Sequence, residues 1–109
     1  MRFAMVYIAE AHAVDEWPVA LLDKDFEQHK SLEDRLQAAR EFKADHEIAA
    51  PLATEIYADT IGNDFNESYS SWPFRFWVIE QGAVGFKAMP QHSTYDLQTL
   101  EDWLQARFA

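Results

Sequence analysis

A chain of 109 residues is, as a prior, one domain that buries about two-thirds of its unfolded surface. Its 49% hydrophobic and 15% aromatic residues, with only 3 Gly and 4 Pro, are those of a folded globular chain with a real core, which excludes a disordered or fibrous one. Nineteen acidic residues against nine basic ones give a formal charge of −10, so the average field repels phosphate backbones and anionic headgroups. Nucleic acid and membrane surfaces are therefore not expected as partners. Cysteine is absent, which removes disulfides, thiolate metal ligands and thiol nucleophiles from these residues.

Arg2 to Ala9 is short, nearly all apolar and followed by polar residues, the pattern of a central strand covered on both faces. Glu10 to Lys30 has no clear periodicity and reads as a long connection at that strand's carboxyl end. Ser31 caps a helix with Glu33 and Asp34 in its first turn, where the helix dipole favours anions. Leu32, Leu36, Ala39 and Phe42 form its apolar stripe, and it is expected to end near Asp45 or His46.

Leu52 to Ala58 is β-capable, and Asp59 to Asp64 is a turn-rich break before a short helix around Asn66 to Ser70. Phe74 to Ile79 is a second buried-strand candidate. With Ala83 to Ala88 it makes an antiparallel hairpin through a three- to five-residue connection containing Gly82. Asp96 can cap a last helix with Leu97, Leu100, Leu104 and Phe108 on one face and Trp103 beside them. The order β, α, β, short α, β, β, α describes a single α/β domain over residues 1–109, without repeat or linker. No run approaches the roughly 18 apolar residues that span a bilayer, and no apolar leader is evident, so the expected location is the cytoplasm.

Tyr7-Ile8-Ala9-Glu10-Ala11-His12-Ala13-Val14-Asp15-Glu16-Trp17 resembles the Tyr-Ile-Glu-Glu-Ala-His-x-x-Asp-Gly-Trp segment of the iodothyronine deiodinases. Gln28-His29-Lys30-Ser31-Leu32-Glu33-Asp34-Arg35 is similar to their Gln-His-Arg-Ser-Leu-x-Asp-Arg segment. Asp59-Thr60, Asn63, Tyr69, Pro73, Arg75, Val78 and Ile79 follow in register, then Gly82, Pro90 and Tyr95. The resemblance runs from Arg2 to about Leu104. It implies a thioredoxin-like fold of the peroxiredoxin-like variant, with a mixed sheet, a terminal hairpin and a C-terminal helix.

The family removes iodine reductively with a selenocysteine or cysteine on a strand, loop and helix that precede the Tyr7-Ile8 segment. The resemblance therefore places Met1 inside the third thioredoxin strand, and the N-terminal βαβα portion that carries the nucleophile is expected to be missing. An in-frame UGA read as a stop, a cut fragment and a shortened paralogue would each produce this. Hydroxyl side chains offer no two-electron couple with a thiol, so the 109 residues alone are expected to be inactive.

The resemblance implies a substrate pocket of Tyr7, Glu10, His12 and Arg75, with His12 and His29 as proton-handling groups. Each has a plainer alternative. His12 can be a loop histidine bonded to Asp15 or Glu10, His29 an exposed histidine, and Arg75 half of an ion pair with Glu10 or Asp59. The family has Glu where Ala9 stands, so part of an acidic pair is lost. Pro73 is by resemblance the cis-proline facing the redox centre; its alternative is a trans proline opening a strand.

His12, His29, His46 and His92 lack metal-ligand spacing, so no metal site and no cofactor are expected, although the full-length family implies a thiol reductant. Loss of the strand between Arg2–Ala9 and Phe74–Ile79 would leave two unpaired edges, closed either by direct pairing of those strands or by a homodimer. Two functions follow: a deiodinase-like oxidoreductase domain, or a non-catalytic, self-assembling protein that binds a small aromatic or halogenated ligand.

Overall fold

The computed structural model describes residues 2–18, 26–48, 55–88 and 97–108. They form β1 (Ala4–Tyr7), α1 (Leu32–Asp45), β2 (Glu55–Ala58), α2 (Asp64–Tyr69), β3 (Trp77–Glu80), β4 (Ala83–Lys87) and α3 (Leu97–Phe108). The order is the one read from the sequence; Asp96, Pro90 and Tyr95 lie outside the described residues. The molecule is mixed α/β and divides into two compact units, Met1–Pro73 and Phe74–Ala109.

In the first unit β1 and β2 run parallel, Ala4 opposite Glu55 through Tyr7 opposite Ala58. Parallel neighbours need a crossover, and α1 supplies it, packing on β2. Ser31 caps α1 as anticipated: its hydroxyl accepts the Asp34 N–H at 3.1 Å. The buried stripe is rotated from the one expected. Arg35 and Ala39 are buried whereas Leu32 is exposed, so the inward face runs through Arg35, Ala39 and Phe42 at i, i+4 and i+7. A charged side chain displaces Leu32 because its donors find partners inside, described below.

The turn-rich break holds the unit's second buried charge. The Asp59 carboxylate accepts the N–H of Phe65 at 2.8 Å and of Asn66 at 3.0 Å, and Thr60 Oγ1 accepts that of Asp64 at 3.1 Å. Asn63, at the N-cap position with φ 64°, makes no side-chain cap. Asp59 does that work from four residues upstream, a carboxylate on the free amides of a helix start.

In the second unit β3 and β4 form the anticipated antiparallel hairpin, but through two residues rather than three to five. Glu80 pairs with Ala83, and Gln81 and Gly82 both have positive φ (51° and 78°), as a type I′ turn requires. Gly82 meets that demand without a Cβ and Gln81 tolerates it. The register slips between Val78 and Ile79, leaving Gly85 as the extra residue of a bulge. A Cβ there would lie 3.4 Å from the Trp103 ring, so glycine lets α3 approach the hairpin. Arg107 of α3 grips the Glu80 carboxylate through Nε (3.1 Å) and Nη2 (2.8 Å).

Two expectations need correction. Among the described residues β1-β2 and β3-β4 each form a two-stranded sheet within its own unit, where one mixed sheet was expected. Among the described residues the fully buried apolar side chains are only Ala13, Ala39 and Ala88, so the substantial core expected from composition is not seen. A two-stranded sheet can be covered by one helix on one face, which leaves large side chains such as Ile79 and Val84 in water.

Replacing Asp59 by Ala should lower the free energy of unfolding by about 2 kcal/mol, the upper range for a lost helix cap. Asp59→Asn should cost less. Urea denaturation measures both, and an Ala variant as stable as the native chain would show that Asp59 does not hold α2.

Candidate functional site

The loop after β1 and the segment before α1 meet through Gln28. Its amide accepts the Glu10 N–H at 3.0 Å and donates to the Glu10 carbonyl at 2.9 Å and to Glu16 Oε2 at 3.0 Å. Its own N–H is held by Asp15 Oδ1 at 2.9 Å, and the Val14 N–H bonds the Phe26 carbonyl at 2.7 Å. These bonds place His29 beside the carboxyl end of β1.

There Tyr7 Oη donates to Glu10 Oε1. His29 Nε2 lies 3.3 Å from the same oxygen, off the line of a well-formed hydrogen bond. On the other side of the ring Arg35 Nε donates to His29 Nδ1 at 3.0 Å. Arg35 is 2% exposed and anchors its Nη1 on the Thr60 carbonyl at 2.5 Å, with the Asp59 carbonyl at 3.5 Å. A polar chain thus runs Tyr7, Glu10, His29, Arg35, Thr60, hydrogen-bonded at each step except the 3.3 Å approach of His29 to Glu10, and spans β1, two loops and α1.

Burial and the Glu10 carboxylate push the Tyr7 hydroxyl well above its ordinary range, so it remains a proton donor. His29 is pushed down from the usual imidazole value, first by burial and then by Arg35, against the opposing pull of Glu10. It is therefore neutral at physiological pH. His29 and Arg35 reach the wall of a cleft of about 270 Å³ that Glu16, Gln28, Asn63 and Trp72 also line. Asn63 Oδ1 is buried there without a hydrogen-bond partner among the described residues.

The sequence-derived candidates separate. Tyr7, Glu10 and His29 come together; the His29 side chain is 4% exposed, so the exposed-histidine alternative is wrong. His12 stands apart from them, its Nδ1 bonded to the Trp17 carbonyl at 3.2 Å and its ring 4.6 Å from the Trp17 ring, not to Asp15 or Glu10. Arg75 belongs to the second unit, and its buried Nε has no hydrogen-bond partner among the described residues. The carboxylates proposed to pair with it are engaged elsewhere, Glu10 with Tyr7 and His29, Asp59 with the amides of α2. The Trp72–Pro73 bond is cis.

Sequence reasoning missed Arg35 and Gln28. A cation at i, i+4 and i+7 with Ala39 and Phe42 was the available signal for Arg35, hidden because Leu32 and Leu36 offered a more apolar stripe. Nothing local distinguishes Gln28. Among the described residues no cluster of His, Asp and Glu could hold a metal ion, and no helix is long and apolar enough to cross a membrane.

The depressed His29 value fixes a pH dependence. Below the ordinary histidine pKa of about 6.5 the unfolded chain takes a proton that the folded chain refuses, so stability falls as pH drops. Urea midpoints between about pH 7.5 and 5.5 should decline for the native chain and decline less for His29→Gln. Equal slopes would remove His29 as the cause.

The iodothyronine deiodinase family model matches residues 1–108. Thyroxine 5-deiodinase of Sus scrofa is 31% identical over 94% of this chain and 32% of its own length. Type II iodothyronine deiodinase of Mus musculus is 27% identical over 98% of this chain and 41% of its length, and type I iodothyronine deiodinase of Xenopus laevis is 31% identical over 78% of this chain. The chain thus spans about a third of the length of the first of these relatives. With the match covering almost every residue, including the segments that hold Tyr7, Glu10, His29 and Arg35, the chain belongs to the iodothyronine deiodinase family.

Proposed function

We propose that these residues form the proton-handling and substrate-binding part of a deiodinase-like oxidoreductase with a thioredoxin-like fold, acting on a halogenated phenol. The observation that carries this reading is the polar chain Tyr7, Glu10, His29, Arg35, which ends at the wall of an open cleft in a member of this family. The fold assignment draws on the β1-α1-β2 unit, the β3-β4 hairpin and the closing helix α3.

In reductive deiodination an aryl iodide and two thiols give the arene, iodide, a proton and a disulfide. A chalcogen nucleophile takes the iodine, the carbon–iodine bond breaks, and the ring carbon gains a proton. The 109 residues contain no cysteine, so the electron pair comes from a group outside them. What they offer is proton handling: His29 Nε2 stands 3.3 Å from the Glu10 carboxylate, and Tyr7 donates its hydroxyl proton to the same carboxylate. His12, with Nδ1 already bonded to the Trp17 carbonyl, is the candidate substrate contact of this unit.

A second reading rests on the missing cysteine: by themselves the 109 residues bind such a ligand without turning it over. Among the described residues β1 pairs on one side only, which is compatible with closure by a second copy, a dimer of twice 12.7 kDa.

Diiodophenol should quench the tryptophan fluorescence of the native chain, because Trp72 lines the cleft. His12→Ala should weaken binding about tenfold, the loss of one aromatic contact. With excess dithiol no iodide should appear above a boiled control. Absent quenching sinks the pocket, and iodide release sinks the claim that the nucleophile lies elsewhere.

A further inference from the structure

The largest fully buried side chain among the described residues is a cation, and its position is odd for one that merely packs. Arg35 donates in two directions at once: Nη1 to the Thr60 carbonyl and Nε to His29 Nδ1. The guanidinium is a planar fork whose protons are all donors and are never lost. Anchoring one arm on a backbone carbonyl therefore aims the other, and the ring nitrogen that receives it must offer a lone pair.

We propose that Arg35 is a positioning residue that fixes the tautomer of His29, leaving Nδ1 bare and the single proton on Nε2, on the Glu10 side. The imidazole has two neutral tautomers of similar energy, and the one present is set by the bond its other nitrogen makes. Here a permanent donor meets Nδ1 at 3.0 Å, and the acceptor Glu10 Oε1 stands 3.3 Å from Nε2. The opposite tautomer would set two N–H groups against each other and leave the lone pair of Nε2 facing a carboxylate. The imidazolium would suffer the first of these clashes.

The groups around His29 agree with this assignment. Tyr7 approaches from β1 with its hydroxyl committed to Glu10, Glu10 from the loop that follows, and Asp34 and Arg35 from α1. Glu16 lines the same cleft. Among the described residues only Arg35 hydrogen-bonds Nδ1, so no carboxylate among them draws the proton to that side. The consequence for catalysis rests on the proton-handling reading above: the proton is delivered through Glu10, never through Nδ1. The tautomer itself does not depend on that reading.

Long-range nitrogen–proton NMR on the full 109-residue chain reads the tautomer and titration of His29 directly. The native chain at neutral pH should show one tautomer with Nδ1 unprotonated. Arg35→Lys keeps the charge but has a single ammonium that cannot hold the carbonyl and the ring together. It should give a mixture of both tautomers. Arg35→Met, which also removes the charge, should raise the His29 pKa by about one unit, the lower end of what a neighbouring charge does. A purely structural arginine would change the denaturation midpoint without moving either signal. A native proton on Nδ1, or a folded Arg35→Lys chain with an unchanged His29 spectrum, overturns the proposal. Because the native measurement needs no variant, it stands even if neither replacement folds, and it stands whether or not diiodophenol binds.

Discussion

A guanidinium almost sealed from water cannot shed its charge, so every arrangement around Arg35 has to satisfy it. Two of its hydrogen bonds leave α1 for the far end of β2, where the carbonyls of Asp59 and Thr60 turn toward it. A third goes to His29 at the start of the same helix. The helix face, the turn after β2 and the segment before α1 are thereby held by one side chain. The exposed position of Leu32 follows, because the inward face of α1 is the one that carries the charge.

The turn after β2 shows how tightly the two buried charges share their surroundings. Asp59 presents its carbonyl to Arg35 and its carboxylate to the first amides of α2, while its N–H extends the β1-β2 ladder to the Tyr7 carbonyl at 2.8 Å. Each polar group of this residue is used, and each in a different direction. That arrangement leaves Asn63, in the position from which a helix is ordinarily capped, free to line the cleft. Structural satisfaction in one place thus leaves a buried acceptor without a partner among the described residues in another, beside the same cleft wall as His29.

Much of the site was legible before the fold was seen, through likeness to short family segments rather than through periodicity. Tyr7, Glu10 and His29 came from their likeness to short family segments, and the structure joins them through Glu10. His12 came by the same route, yet it stacks on Trp17 and leaves the cluster. Arg35 sat inside one of the quoted segments and went unread, because helical periodicity ranks residues by apolarity and a cation scores as outward. Gln28 was likewise present, and its role as a clamp between Glu10, Asp15 and Glu16 depends on partners 12 to 18 positions away.

By itself the sequence determined the element order, the Ser31 cap, a hairpin turning near Gly82 and the kinship, since each depends on residues a few positions apart or on the order of short motifs. The division into two small sheets, the thin core and the buried guanidinium were decided only in three dimensions. A charge enters an interior when carbonyls and a ring nitrogen converge on it, and the carbonyl that receives Arg35 lies 25 residues along the chain. No periodicity within a helix records that distance, whereas the folded β1-α1-β2 unit closes it.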